Sequence, residues 1–204
     1  MRDSKRIGID FDNTLIDYDE VFRMLARERG WLGPDFRGGK DAVRRASRAL
    51  PAGEERWQRL QGEAYGKGIS GAALFEGAEA FLRRARADGH EVLIVSHKTA
   101  YGHFDAARVN LRDAALAWMD RKGFFQQDGL GVAIANVHFS ATRSEKLDRI
   151  ASLGVTHFID DLPEVLDDPT FPAGVVKILF TNGARDSRPG AFAHWRDIAD
   201  AVLR

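Results

Sequence analysis

Two aspartates one residue apart close the apolar run of "RIGIDFDNTLID" (residues 6–17). In an extended chain residues i and i+2 point to the same side, so Asp10 and Asp12 face one place while Phe11 turns to the core. Other polar groups stand at the ends of apolar runs or at the helix starts that follow them. Ser96 ends "EVLIVS" (91–96), Asp160 ends "VTHFID" (155–160) with Asp161 next, and Lys146 lies in "SEKLDRIASLG" (144–154). Open α/β sheets bind ligands outside the carboxyl ends of their strands. Parallel neighbouring strands would bring all these groups to one rim. Four carboxylates gathered there repel each other, and a hard divalent cation relieves the repulsion. Magnesium takes one or two carboxylates, waters and a substrate phosphate, and Lys146 offsets more of the charge. Each group also has a structural reading when taken alone. An aspartate or serine caps a helix or a turn, and a lysine sits on a solvated helix face. Their order and their common place at strand ends favour chemistry.

The elements that must position these residues follow from the apolar pattern. Near-continuous runs rich in Val, Ile, Leu and Phe at 6–10, 91–96, 155–160 and 175–182, with a weaker one at 133–140, suit strands covered on both faces, as in a parallel sheet. Helical patterns lie between them at 76–89, 104–123, 144–154 and 191–203. The third is expected to start from a Ser cap. Strand alternating with helix predicts an open α/β sheet. Between Asp17 and Phe75 the alternation breaks. No strand is expected there, and three amphipathic helices are expected at 19–29, 40–50 and 54–65. The expected boundaries are 1–16 and 76–204 for the sheet domain, with 17–75 as a small helical excursion.

With these residues in view, the sequence resembles the haloacid dehalogenase (HAD) superfamily. The resemblance rests on Asp10-Phe11-Asp12-Asn13-Thr14 after an apolar strand, Ser96 ending another, Lys146 near a helix start, and "FIDD" with Asp160 and Asp161, all in the family's order. It spans Ile7 to about Phe180. It implies a Rossmann-like sheet flanked by helices, with 17–75 as a small C1-type cap, and dependence on Mg2+. It also implies the roles. Asp10 would be the nucleophile that forms an aspartyl-phosphate, and Asp12 the acid and then the base. Asp10, Asp12 through its backbone carbonyl, Asp160 and Asp161 would hold the metal, with Asp161 favoured as the direct ligand. Thr14, Ser96 and backbone N–H groups would serve the phosphate, and Lys146 would bridge nucleophile and phosphate. In the dehalogenases the second aspartate is typically missing, because halide leaves without a proton. Asp12 therefore favours phosphoryl chemistry. His97 and Lys98, directly after Ser96, belong either to a solvated loop or to substrate recognition.

Composition narrows the alternatives. The 204 residues carry 30 basic and 30 acidic side chains, which argues against a general nucleic-acid or membrane-surface binder. There is no cysteine, so thiolate zinc sites and cysteine nucleophiles are excluded, and a cytoplasmic setting fits. No signal peptide is expected, and no apolar stretch reaches the ~20 residues that span a bilayer. "GPDFRGGKDA" (33–42) fails as a P-loop, because the Gly–Lys spacing is wrong and Asp41 stands where Ser or Thr is needed. The expected activity is a magnesium-dependent phosphohydrolase acting on a small phosphorylated metabolite, a sugar phosphate or nucleotide. The alternatives are a phosphomutase or phosphotransferase using the same site, or a non-catalytic phosphate- or partner-binding protein. Monomer and homodimer are both compatible with the sequence.

Overall fold

The computed structural model describes residues 4–105 and 107–204. In chain order the strands are β1 (Arg6–Ile9), β2 (Ile16–Asp17), β3 (Ala73–Leu74), β4 (Glu91–His97), β5 (Val137–Ser140), β6 (His157–Asp160), β7 (Val176–Phe180) and β8 (Ala191–Phe192). The helices are α1 (Asp19–Glu28), α2 (Lys40–Arg48), α3 (Gly53–Tyr65), α4 (Ala78–Ala87), α5 (Leu111–Arg121), α6 (Arg143–Ser152), α7 (Pro163–Leu166) and α8 (Trp195–Val202). The chain divides into two units, one of Met1–Ile16, Leu74–Lys98 and Lys122–Arg204, the other of Asp17–Ala73 and Thr99–Arg121.

The first unit is a six-stranded parallel sheet in the order β5-β4-β1-β6-β7-β8, flanked by helices. Central β1 explains the parallel arrangement. Ile7 and Ile9 are fully buried, as strands covered on both faces require. A Cβ at Gly8 would meet the Phe158 ring at 2.7 Å, so glycine is what lets that ring lie against β1. Leu93, Val95, Leu147, Ile150, Phe158 and Leu179 form one cluster, which ties α6 to β4, β6 and β7. Alternation along β7 sends Phe180 the other way. There it meets Trp195 of α8 at 5.7 Å between ring centroids, and Trp195 meets Phe81 of α4 at 5.0 Å. Apolar side chains on both faces, rather than any one contact, hold the sheet.

The second unit is helical. Phe22 of α1 stacks on Trp57 of α3 with centroids 5.0 Å apart, and Tyr18 meets Tyr65 edge-on at 4.9 Å. Trp118 of α5 is buried and donates its Nε1–H to the Ala72 carbonyl at 3.2 Å. This contact explains why 99–121 clusters with the helices of 17–73, where the sequence pattern had placed it with the sheet. None of the described helices is long and apolar enough to cross a membrane.

The five apolar runs became β1, β4, β5, β6 and β7. Three two-residue strands, β2, β3 and β8, are too short to leave a pattern. The helix expected over 104–123 starts only at Leu111. Phe104 and Arg108 adopt positive φ of 55° and 47°, outside the helical region, and Asn110 Oδ1 accepts the Arg112 N–H at 3.0 Å, a turn-starting bond. The helix expected to start from a Ser cap is capped instead by Thr142. Its hydroxyl accepts the Glu145 N–H at 3.2 Å, while Glu145 Oε2 accepts the Ala141 N–H at 2.7 Å.

Candidate active site

The site grows from the carboxyl end of β1. Asp10 continues the sheet one residue further, donating its N–H to the Ile159 carbonyl at 2.9 Å. The chain then turns tightly. Asn13 takes a left-handed φ of 64°, which asparagine tolerates. Its N–H reaches the Ile16 carbonyl, and the Phe11 carbonyl accepts the N–H groups of Leu15 and Ile16. Phe11 is buried and Asp12 is half-buried. Thr14 is fully buried and anchored at its carbonyl by Trp195 Nε1–H at 3.1 Å. Its hydroxyl stands 3.3 Å from Asp161 Oδ1 and 3.5 Å from Asp10 Oδ2, a single donor between two carboxylates.

Two strands, β4 and β6, and the helix α6 supply the rest. The capping box at Thr142 and Glu145 fixes the first turn of α6, and Lys146 follows directly. Its ammonium is 1% exposed and lies 2.6 Å from both Asp10 Oδ1 and Asp160 Oδ2. Asp160, at the end of β6, is fully buried, and its other oxygen accepts the Leu162 N–H at 2.9 Å. Both oxygens of Asp160 are therefore engaged. Asp161 is half-buried, with one oxygen toward Thr14. Carboxylate oxygens of Asp10, Asp160 and Asp161 all lie within 4.8 Å of one another.

Ser96 on β4 is fully buried, and its hydroxyl has no hydrogen-bond partner among the described residues. The register pairs Ile94 with Ile9, which brings Ser96 level with Phe11 beside the catalytic-type loop. The next two residues part company. His97 is exposed, with Nε2 2.9 Å from the Ala141 carbonyl. Lys98 turns inward, 3% exposed, and its Nζ forms an ion pair with Asp12 Oδ2 at 2.7 Å. The structure therefore joins Asp10, Thr14, Lys146, Asp160 and Asp161 in one cluster, pairs Lys98 with Asp12, and leaves His97 exposed against the Ala141 carbonyl.

The electrostatics follow from this crowding. Burial pushes the Lys146 ammonium down, but the Asp10 and Asp160 carboxylates outweigh burial and hold it above the ordinary lysine value. Burial also pushes the Asp160 carboxyl up to about 6, with Asp10 adding to the rise and Lys146 opposing it. Four carboxylates against two ammoniums leave the cluster two negative charges when all six are ionised. The donor set is all oxygen, and the excess charge matches a hard dication. The residues thus fit magnesium, with Asp10 and Asp161 offering oxygens that Lys146 does not occupy.

Three supporting residues, Trp195, Thr142 and Glu145, were not found from sequence. Trp195 holds the Thr14 carbonyl from 181 positions away, and nothing local signals such a contact. The Thr142-x-x-Glu145 capping box was legible, because T-x-x-E before an apolar helix is its signature.

No protein-family model matches the sequence, and no curated protein matches it. Solved structures do resemble it. A haloacid dehalogenase-like family hydrolase from Streptococcus pneumoniae has 16% identity and a TM-score of 0.61, covering 100% of both chains. Protein tyrosine kinase A from Mycobacterium tuberculosis has 14% identity and a TM-score of 0.65, covering 98% of this chain and 99% of its own. A protein from Haemophilus somnus described as a predicted phosphoglycolate phosphatase has 16% identity and a TM-score of 0.53, covering 97% of each chain. At such identities it is the fold that is shared, and this chain has the fold of the haloacid dehalogenase-like hydrolases.

Proposed function

We propose that the protein is a magnesium-dependent phosphohydrolase that removes phosphate from a small phosphorylated metabolite, a sugar phosphate or nucleotide. The observation that carries this reading is the buried Asp10–Lys146–Asp160 chain with Asp161 beside it. A carboxylate held in place by a buried ammonium, next to an oxygen-lined cation site, is suited to attack a phosphorus atom.

In this reading Asp10 attacks phosphorus in line, and the bond to the leaving oxygen breaks as the acyl phosphate forms. Asp12 gives its proton to that oxygen, then takes one from the water that attacks the acyl phosphate, releasing inorganic phosphate. Lys146 fixes the rotation of Asp10 and opposes the negative charge that builds on the transferring group. Ser96, with its partnerless hydroxyl, offers a donor to a phosphate oxygen. Thr14 orients Asp10 and Asp161. Magnesium, held by Asp10, the Asp12 carbonyl and Asp161 with Asp160 behind them, would supply charge neutralisation and phosphate orientation. His97 takes no part in this scheme. The second unit would act as a cap that selects substrate, since two of its segments begin at Asp17 and Thr99, just past Asp12 and Lys98. The cysteine-free chain suits a cytoplasmic setting.

The test is a panel of sugar phosphates and nucleotides assayed with magnesium. At least one should release inorganic phosphate, and chelation should stop release until magnesium returns. Asp10→Asn should remove turnover in a protein that still folds, with its thermal transition lowered because Lys146 loses one of its two buried charged partners. Transfer of the phosphoryl group to a second hydroxyl instead of water would make the protein a phosphotransferase. No reaction with any ester would leave a binding role.

A further inference from the structure

We infer that Lys98 is a positioning residue that aims the Asp12 carboxylate at the leaving-group oxygen. The inference rests on the proposed role of Asp12 as proton donor. It starts from the backbone. Past the end of β4 the chain still runs beside β5, because the Lys98 N–H donates to the Ser140 carbonyl at 2.8 Å. That bond fixes where the side chain begins. The stem then crosses the interior, and its Nζ sits 5.8 Å over the Phe11 ring and 2.7 Å from Asp12 Oδ2, with the two side chains 2% and 15% exposed.

A buried ion pair is weak support for a fold, because desolvation of both charges offsets most of their attraction and an apolar pair of similar size would serve as well. Stability thus explains poorly why a lysine is spent here. Geometry explains it better. Asp12 takes its proton from the attacking water of one turnover and gives it to the leaving oxygen of the next, so its carboxyl group has to be held in rotation about its χ angles, and a misplacement of about 1 Å is costly. Lys98 holds Asp12 by one oxygen and so fixes the rotation of its carboxyl group. Lys146 does the same for Asp10 from the far side of the loop. Each of the two aspartates of the D-x-D pair therefore has its own buried ammonium, one from the end of β4 and one from the start of α6.

A positioning role through Asp12 has a signature that phosphate binding by Lys98 lacks. Alkyl leaving groups need a proton, and 4-nitrophenolate hardly does. Lys98→Met should therefore lower kcat on the best alkyl phosphate of the panel by ~10²-fold or more, while 4-nitrophenyl phosphate loses less than about 3-fold, with KM nearly unchanged for both. Lys98→Arg should restore part of the alkyl rate. In an Asp12→Asn background, which removes the partner charge and keeps the double variant foldable, Lys98→Met should cost nothing further. Equal losses on both esters, a raised KM with kcat kept, or an added loss in the Asp12→Asn background would overturn the inference and leave phosphohydrolysis standing. A wild-type protein inactive on every ester would overturn both.

Discussion

Asp160 and Asp161 are neighbours in sequence and opposites in surroundings. Asp160 is fully buried with each oxygen bonded, one to Lys146 and one to the Leu162 N–H, whereas Asp161 is half-buried with Oδ1 3.3 Å from the Thr14 hydroxyl. Asp160→Asn strips Lys146 of a buried charged partner, and breaking such a pair costs about 3–5 kcal/mol. Asp161→Asn leaves both Lys146 pairs intact and removes one charge from a cluster that has two in excess, so it should cost less than Asp160→Asn. Magnesium separates the two in another way. Saturation at about 100 times Kd adds about 2.7 kcal/mol to the wild type by linkage. Urea titrations with and without the ion should show that gain in the wild type and lose most of it in Asp161→Asn. A magnesium gain kept in full by Asp161→Asn would remove Asp161 from the ligand set. At this scale much was legible in advance. Asp10, Asp12, Ser96, Lys146 and the Asp160-Asp161 pair could be found because each ends an apolar run or opens the helix after one. What pattern could not give was the pairing of lysines with carboxylates. Lys98 meets Asp12 from another strand, and only the register and the inward turn after His97 decide it.

The helix that carries Lys146 starts from a bond network outside the site. Thr142 takes the open N–H of Glu145 in the first turn, and the Glu145 carboxylate takes the Ala141 N–H just before the cap. Thr142→Ala should cost about 1 kcal/mol, read as a lower denaturation midpoint. Because Lys146 directly follows this turn, turnover should fall as well, and Thr142→Ser should restore both. Elements as a class were read well where burial is two-sided. The central strands need long apolar runs, and such runs stand out. The misread helix start at 104 has a plain cause. "FDAARVN" has helical composition, but Phe104 and Arg108 are held at positive φ, and local propensity is too weak to resist tertiary placement. Edge pieces such as β8 contribute two residues each, and two residues make no period.

Across the molecule, stability should depend on pH through histidines rather than through the site alone. His157 on β6 is half-buried, and burial first, then the nearby Lys5 and His90, push its imidazole below the ordinary value. Burial, then Arg149, lowers His138 as well. A base depressed in the folded state binds its proton more readily when unfolded. Stability from these residues is thus fully present above the unfolded value of about 6.5 and is lost as pH falls below it. Asp160, raised to about 6, pulls the other way in the same window, so the histidine share is read by difference: from pH 7.5 to 5.5 the urea midpoint of the wild type should fall more, or rise less, than that of His157→Gln. An unchanged slope would show that His157 is not the source. The two-unit division was only partly legible, since a helix distant in sequence joined the 17–73 segment through Trp118 and Ala72. That interlacing has a hereditary consequence. The second unit is written in two stretches of the coding sequence, with Leu74–Lys98 of the first unit between them. A single crossover or deletion that carried away 17–73 would strand α5 with the indole of Trp118 uncovered. Any exchange of this unit between genes has to move both stretches together, so its substitutions on α3 and α5 should be inherited as matched sets.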